Sequence, residues 1–134
     1  MRQELDDLLC AVAPKLYAQR NMPASQTCMC WGFPGDGWFG LLLEASLALE
    51  ALNLRIQAVQ VKEKFGTLRF YIGGPDDRDE RVQAIVRRAE ERSCVECEEC
   101  GAAGKRRGGG WIRTLCDAHA PVEEADDDDD NDEA

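Results

Sequence analysis

Apolar residues recur at Leu5, Leu8, Leu9, Val12 and Leu16, the spacing of one helix face, and predict a helix over Gln3 to Arg20 interrupted or kinked at Pro14. Turn formers then dominate N-M-P-A-S-Q-T-C-M-C-W-G-F-P-G-D-G, residues 21–37, which is expected to be a loop. With Asp36 as its N-cap, a second helix is expected from Gly37 to about Asn53, burying Trp38, Leu41, Leu42, Ala45, Leu49 and Leu52. The period then changes from 3.6 to 2. Val59 and Val61 alternate with Gln60 and Lys62, and Leu68, Phe70 and Ile72 alternate with Thr67, Arg69 and Tyr71. That pattern predicts a hairpin turning at Phe65-Gly66, where glycine supplies a backbone conformation that a β-carbon resists. A third helix is expected from a cap at Asp76 or Asp77 to about Ser93, with Val82, Ile85, Val86 and Ala89 inward. The implied class is α+β: helices packed on a small antiparallel hairpin, followed by a short Cys-bearing module.

That module concentrates the chain's unusual chemistry. Between Cys94 and His119 lie four of the seven cysteines and the sole histidine. Cys97-x-x-Cys100-Gly101 and Cys116-x-x-His119 form two ligand pairs fifteen residues apart, the arrangement of a zinc-ribbon-like or treble-clef-like site. A two-residue gap lets both side chains of a tight turn converge on one ion, and the glycine lets the backbone curl back toward the sulfurs. Zn2+ is therefore the expected cofactor, held by Cys97, Cys100, Cys116 and His119. Cys94 also stands in C-x-x-C spacing to Cys97 and is an alternative ligand. Cys10 and the Cys28-Met29-Cys30 run are expected to be buried thiols rather than a second metal site, since C-x-C has no partner pair.

The ligand set bears on activity. Three thiolates and an imidazole close a tetrahedral shell, whereas catalytic zinc keeps an open position. The only histidine is then consumed, and neither a G-x-x-x-x-G-K-[ST] phosphate loop nor a G-x-S-x-G elbow is present. The expectation is a protein that is not an enzyme.

Charge refines this picture. The net charge is −10, but Glu123 to Glu133 contribute nine acids and no base, which leaves the rest at −1. Residues 121–134 are therefore expected to be a disordered acidic tail appended to one α+β domain over 1–120 that includes the module at 94–120. An EF-hand is excluded there, because the Asp run lacks the turn glycine and a twelfth-position Glu. Residues 55–113 carry thirteen bases against ten acids. Within them Lys62, Lys64 and Arg69 on the hairpin, and Lys105, Arg106, Arg107, Trp111 and Arg113 in the module, are candidates for binding nucleic acid or a partner, with Phe65 and Tyr71 available for stacking. The opening M-R-Q-E-L-D-D-L-L is too acidic for a secretory signal, and no apolar run is long enough to span a membrane. A reducing bacterial cytoplasm is the expected location, consistent with a metal-binding rather than disulfide use of cysteine.

V-K-E-K-F-G-T-L-R-F-Y (Val61 to Tyr71), the C-x-x-C-G, G-G-W-I-R-T-L-C-D and His119 resemble, in combination with the G-D-G-W of Gly35 to Trp38, a family of small uncharacterised bacterial and phage proteins. The resemblance covers about Met29 to Ala120. It departs from the family at Thr67, where a second glycine is expected, and in the poly-Asp tail. What it implies is a zinc-bearing α+β domain often encoded by phages or mobile elements. The expected function is that of a phage or prophage accessory factor docking on a host protein or nucleoprotein, including inhibition of a host defence as an anti-CRISPR. The alternative is a nucleic-acid-binding accessory protein using the basic residues.

Overall fold

The computed structural model describes residues 1–108 and 110–120. Three helices, α1 (Gln3–Val12), α2 (Phe39–Ala51) and α3 (Glu80–Ser93), accompany two separate two-stranded antiparallel sheets. The first sheet pairs β1 (Gln57–Lys64) with β2 (Thr67–Gly73), and the second pairs β3 (Lys105–Arg107) with β4 (Arg113–Leu115). The α+β expectation holds. The acidic tail, for which disorder is expected, lies outside the described residues.

The main core gathers Leu9, Leu16, Trp38, Leu41, Leu42, Leu49, Val61, Leu68, Phe70 and Val82 from all three helices and the long hairpin. Helix α2 carries apolar side chains on most of its circumference, which suits an element gripped between α1 and α3. Tyr17, 3% exposed, places its ring edge-on to Phe33 at 5.0 Å and its hydroxyl 2.6 Å from the Ser46 hydroxyl, so its polar atom is paired inside the core.

The structure corrects the sequence boundaries in ways that have local causes. The first helix stops at Val12, because Pro14 lacks the N–H that would continue the ladder, and the chain reaches Arg20 through turns and a short 3-10 segment at Ala18–Asn21. Asp36 does not cap α2. It accepts from the Arg2 backbone N–H and ion-pairs with Arg2, while a 3-10 turn at Asp36–Trp38 leads into the helix. The cap of α3 is Asp79, whose carboxylate accepts from the Arg81 N–H at 2.8 Å, and Asp76 instead holds Arg55. On β1 the register shifts between Ala58 and Gln60, which turns Ala58 rather than Val59 fully inward. The hairpin turn has positive φ at both central residues, Phe65 (56°) and Gly66 (80°), the geometry that matches strand twist.

Asp6, 5% exposed, receives two hydrogen bonds from the Arg20 guanidinium, at 3.2 and 2.9 Å. The same guanidinium donates to the Cys30 carbonyl at 3.2 Å, so one buried ion pair fixes the loop that carries Cys28 to Trp31. Among the described residues no helix is long and apolar enough to cross a membrane.

Candidate metal centre

Residues 94–120 fold as a short hairpin flanked by two turns. The first turn is locked by Cys97 N–H to Ala102 carbonyl and Gly101 N–H to Cys97 carbonyl, both at 2.8 Å, with Gly101 at φ +82°. The Glu99 N–H points at the Cys97 sulfur, 3.4 Å away. The second turn is a 3-10 segment, Asp117–His119, in which the His119 N–H bonds the Cys116 carbonyl at 3.1 Å. Glycine and the two-residue gaps thus place both side-chain pairs on the same side of the β3–β4 hairpin.

There the donor atoms of Cys97, Cys100, Cys116 and His119 all lie within 4.8 Å of one another. Cys97 and Cys116 are buried, Cys100 and His119 exposed. Bonds of about 2.3 Å to sulfur and about 2.0–2.1 Å to nitrogen give tetrahedral edges of about 3.8 Å between sulfurs and about 3.6 Å from sulfur to nitrogen. The separations found are 3.6 Å for Cys100 Sγ to Cys116 Sγ, and 3.7 and 3.2 Å from His119 Nδ1 to the sulfurs of Cys97 and Cys116. Four donors with these edges fit one metal ion, and among the described residues no fifth group joins them.

The electrostatics favour the thiolate a metal needs at Cys97 and Cys116, but not at Cys100, where the Ala102 N–H lowers the thiol while burial and the neighbouring sulfurs of Cys116 and Cys97 outweigh it and raise the thiol above its usual range. Hydrogen bonding to the His119 ring pulls the Cys116 thiol down to about 6, and that contact in turn raises His119 above its ordinary value. Burial works to raise Cys97, but hydrogen bonds from the backbone of Cys116, Cys100 and Glu99 outweigh it and hold the thiol below its usual range. Cys94 is not part of the group. It follows the end of α3 and its thiol faces the Glu90 carbonyl at 3.6 Å, so the helix directs it away from the four-donor group.

Among protein-family models, curated proteins and solved structures, none matches this chain.

Two contributors were not legible in the sequence as parts of the metal centre. Glu98, between the first two cysteines, is 5% exposed and accepts from the Thr114 N–H at 2.8 Å and from Arg113 at 3.2 Å, while burial holds its carboxyl above the usual carboxylate range. It ties the first ligand turn to β4. The second is the G-D-G-W stretch. The Gly37 N–H donates to the Glu98 carbonyl and the Trp38 indole N–H to the Glu96 carbonyl, both at 2.8 Å. Thr114 Oγ1 donates to the Gly66 carbonyl at 2.6 Å, so the tip of the long hairpin also rests on the module.

The basic candidates divide. Arg107 is paired with Asp117 at 2.7 Å, and Arg113 with Glu98 and Glu99 at 3.2 and 2.8 Å, so both are engaged within the module. Arg106 is exposed and donates to the Phe65 carbonyl at 2.8 Å. Lys62, Lys64 and Arg69 lie on the long hairpin, Lys105 on β3, and Trp111 is 78% exposed beyond it. They are not one patch of eight equivalent residues.

The remaining cysteines also separate. Met29, not its neighbours, fills the core; Cys28 is exposed and Cys30 half-buried, its thiol facing the Thr27 carbonyl at 3.6 Å. Burial, then the neighbouring Asp6, pushes the Cys10 thiol up to about 11. At pH 8 only about one Cys10 in a thousand is then a thiolate. Iodoacetamide at that pH, followed by peptide mass spectrometry, should alkylate the exposed Cys28 faster than the half-buried Cys10; equal rates would contradict the suppressed Cys10 thiolate.

Proposed function

We propose that the chain is a binding protein without catalytic activity, whose C-terminal module is scaffolded by one structural zinc ion. The observation that carries this reading is the four-donor group itself. A tetrahedral set of three thiolates and one imidazole suits zinc over the oxygen-preferring cations, and it fills the coordination shell with protein atoms. Zinc with a full shell supplies folding energy rather than an activated water, and the only imidazole is committed to it. Its mechanical role follows from the bonds around it: the first ligand turn holds Gly37 and Trp38, and β4 holds the tip of the long hairpin. The ion therefore holds together the module on which the hairpin tip and the start of α2 rest, and the chain acts by presenting a rigid surface to a host protein or nucleoprotein. The phage and anti-defence setting rests on the sequence resemblance alone.

Cobalt substitution tests the closed shell. Metal analysis of the full chain should return one zinc per chain, and the cobalt form should show the intense ligand-field bands of a tetrahedral thiolate site that azide or cyanide leaves unchanged. A spectrum that shifts on adding either anion would reveal an open position and reinstate catalytic zinc.

A further inference from the structure

The register of the long hairpin sorts its residues onto two faces. Val61 opposite Phe70 and Glu63 opposite Leu68 turn inward, and the apolar three of these are buried. Gln60 opposite Tyr71, Lys62 opposite Arg69 and Lys64 opposite Thr67 therefore share the outward face. That face carries three bases and no acid. None of the three bases forms an ion pair among the described residues, in contrast to Arg107 and Arg113 of the module.

Two aromatic rings accompany the charges. Tyr71 is 44% exposed and lines two adjoining grooves, one against the uncharged stretch Ala24 to Cys28 and the other against α3. The α3 groove does contain Glu90 and Glu91, but one Glu90 oxygen already accepts from the Phe70 N–H at 3.1 Å. Phe65 sits at the tip, 57% exposed, under the Lys64 ammonium at 5.5 Å. Its backbone is at φ +56°, a conformation that glycine or asparagine adopts more readily than a bulky residue. An exposed aromatic ring at such a position costs stability and returns little packing, which is the pattern of a residue kept for contact with a ligand.

We propose that this outward face is a platform for single-stranded nucleic acid, with Lys62, Lys64 and Arg69 against phosphates and Tyr71 and Phe65 against bases. Bases stack on exposed rings only when unpaired, and a positively charged track between rings follows the backbone of one strand. The strand rise separates Tyr71 from Thr67 by about 13 Å, with Phe65 beyond, which suits a run of a few nucleotides. The inference deepens the binding-protein reading and rests on it, since the zinc module is what steadies the hairpin tip.

The test is fluorescence anisotropy of a labelled oligothymidylate against the full, zinc-loaded chain over a salt series, with zinc content measured on the same samples. Binding should be saturable at low salt, with a log-log slope of about −2, near −0.7 for each of three neutralised phosphates. Lys62→Gln with Arg69→Gln should weaken binding at least about tenfold and flatten the slope by about 1.4. Arg2 pairs with Asp36 and Arg88 of α3 faces Glu44 of α2, both off this face, so Arg2→Gln with Arg88→Gln should change affinity by less than about twofold. Tyr71→Ala should cost about fivefold or more. Phe65→Asn should raise the melting temperature while weakening the oligonucleotide, a combination that a purely structural Phe65 would not produce. The proposal is overturned by absent binding with zinc in place, by a duplex of equal length binding as tightly, or by off-face and on-face variants acting alike. It is also overturned if binding emerges only after Asp126 to Asp130 are replaced by Asn, which would assign the face to the chain's own tail. Loss of a captured protein partner on Lys62→Gln with Arg69→Gln, without any oligonucleotide binding, would give the face to that protein and leave the zinc-scaffold reading standing.

Discussion

Removing the ion from the full chain, by a strong chelator or by Cys97→Ser with Cys100→Ser, should abolish slow amide exchange across residues 94–120 while α2 and the β1–β2 core stay protected. The module's own apolar cluster consists of Cys97, Leu115 and Cys116. Among its described residues Leu115 is the one buried apolar side chain outside the four-donor group, and such a burial contributes about 1.5–3 kcal/mol. Fixing each residue's backbone costs about 1–2 kcal/mol, so a segment of this length cannot be ordered by that contact. Structural zinc in small modules contributes on the order of 10–16 kcal/mol of apparent binding free energy, enough to close the gap. The main core has no such dependence, because its apolar cluster spans all three helices and the long hairpin. The Trp38 indole N–H reports on the boundary between the two. It is buried and bonded to the Glu96 carbonyl, and it should begin to exchange when the first ligand turn melts. Persisting protection in 94–120 on demonstrably metal-free protein would remove the basis of the scaffold reading.

Gly37→Ala should damage the metal centre from outside it. A β-carbon at this position would stand 2.6 Å from the Glu98 carbonyl carbon and 2.7 Å from the Cys100 nitrogen, and closer still to the Cys97 carbonyl oxygen. All three are backbone atoms of the first ligand turn, so no side-chain rotation relieves the overlap. Gly101 makes the reciprocal approach, with a β-carbon there 2.8 Å from the Gly37 carbonyl oxygen. The expected cost is about 3 kcal/mol or more, at the upper end for an overpacked site, together with at least about a tenfold loss of zinc in competition with a chelator. Gly40→Ala is the matched control. Nothing lies within 4 Å of a β-carbon at that position, which is on the exposed side of α2, and the substitution should stabilise by up to about 1 kcal/mol. Equal melting temperatures and zinc affinities for the two variants would show that the close approach does not matter.

These two results locate what was legible in the amino-acid sequence. The metal ligands were, since each pair is set by a turn of four residues, and the chemistry that makes two cysteines converge is local. Helix existence and the long hairpin were legible for the same reason: periods of 3.6 and 2 are properties of neighbouring residues. The boundaries were less so. Asp36, Asp76, Asp77 and Asp79 are all competent caps in isolation, and Arg2, Arg55 and Arg81 decide which carboxylate goes where.

By itself, then, the sequence determined three helices, a turn at Phe65-Gly66 and a Cys3His donor set, because each depends on residues a few positions apart. Only the tertiary structure decided that Gly37 and Trp38 abut the ligand turn, an approach bridging 58 residues between Trp38 and Glu96. It also decided which bases face outward with no ion pair among the described residues and which are neutralised. Arg113 and Arg107 look no different from Lys62 or Arg69 along the chain, but folding brings Glu98, Glu99 and Asp117 within reach of the former pair. Charge pairing acts through space, at a few ångströms, and a one-dimensional pattern holds no record of those distances.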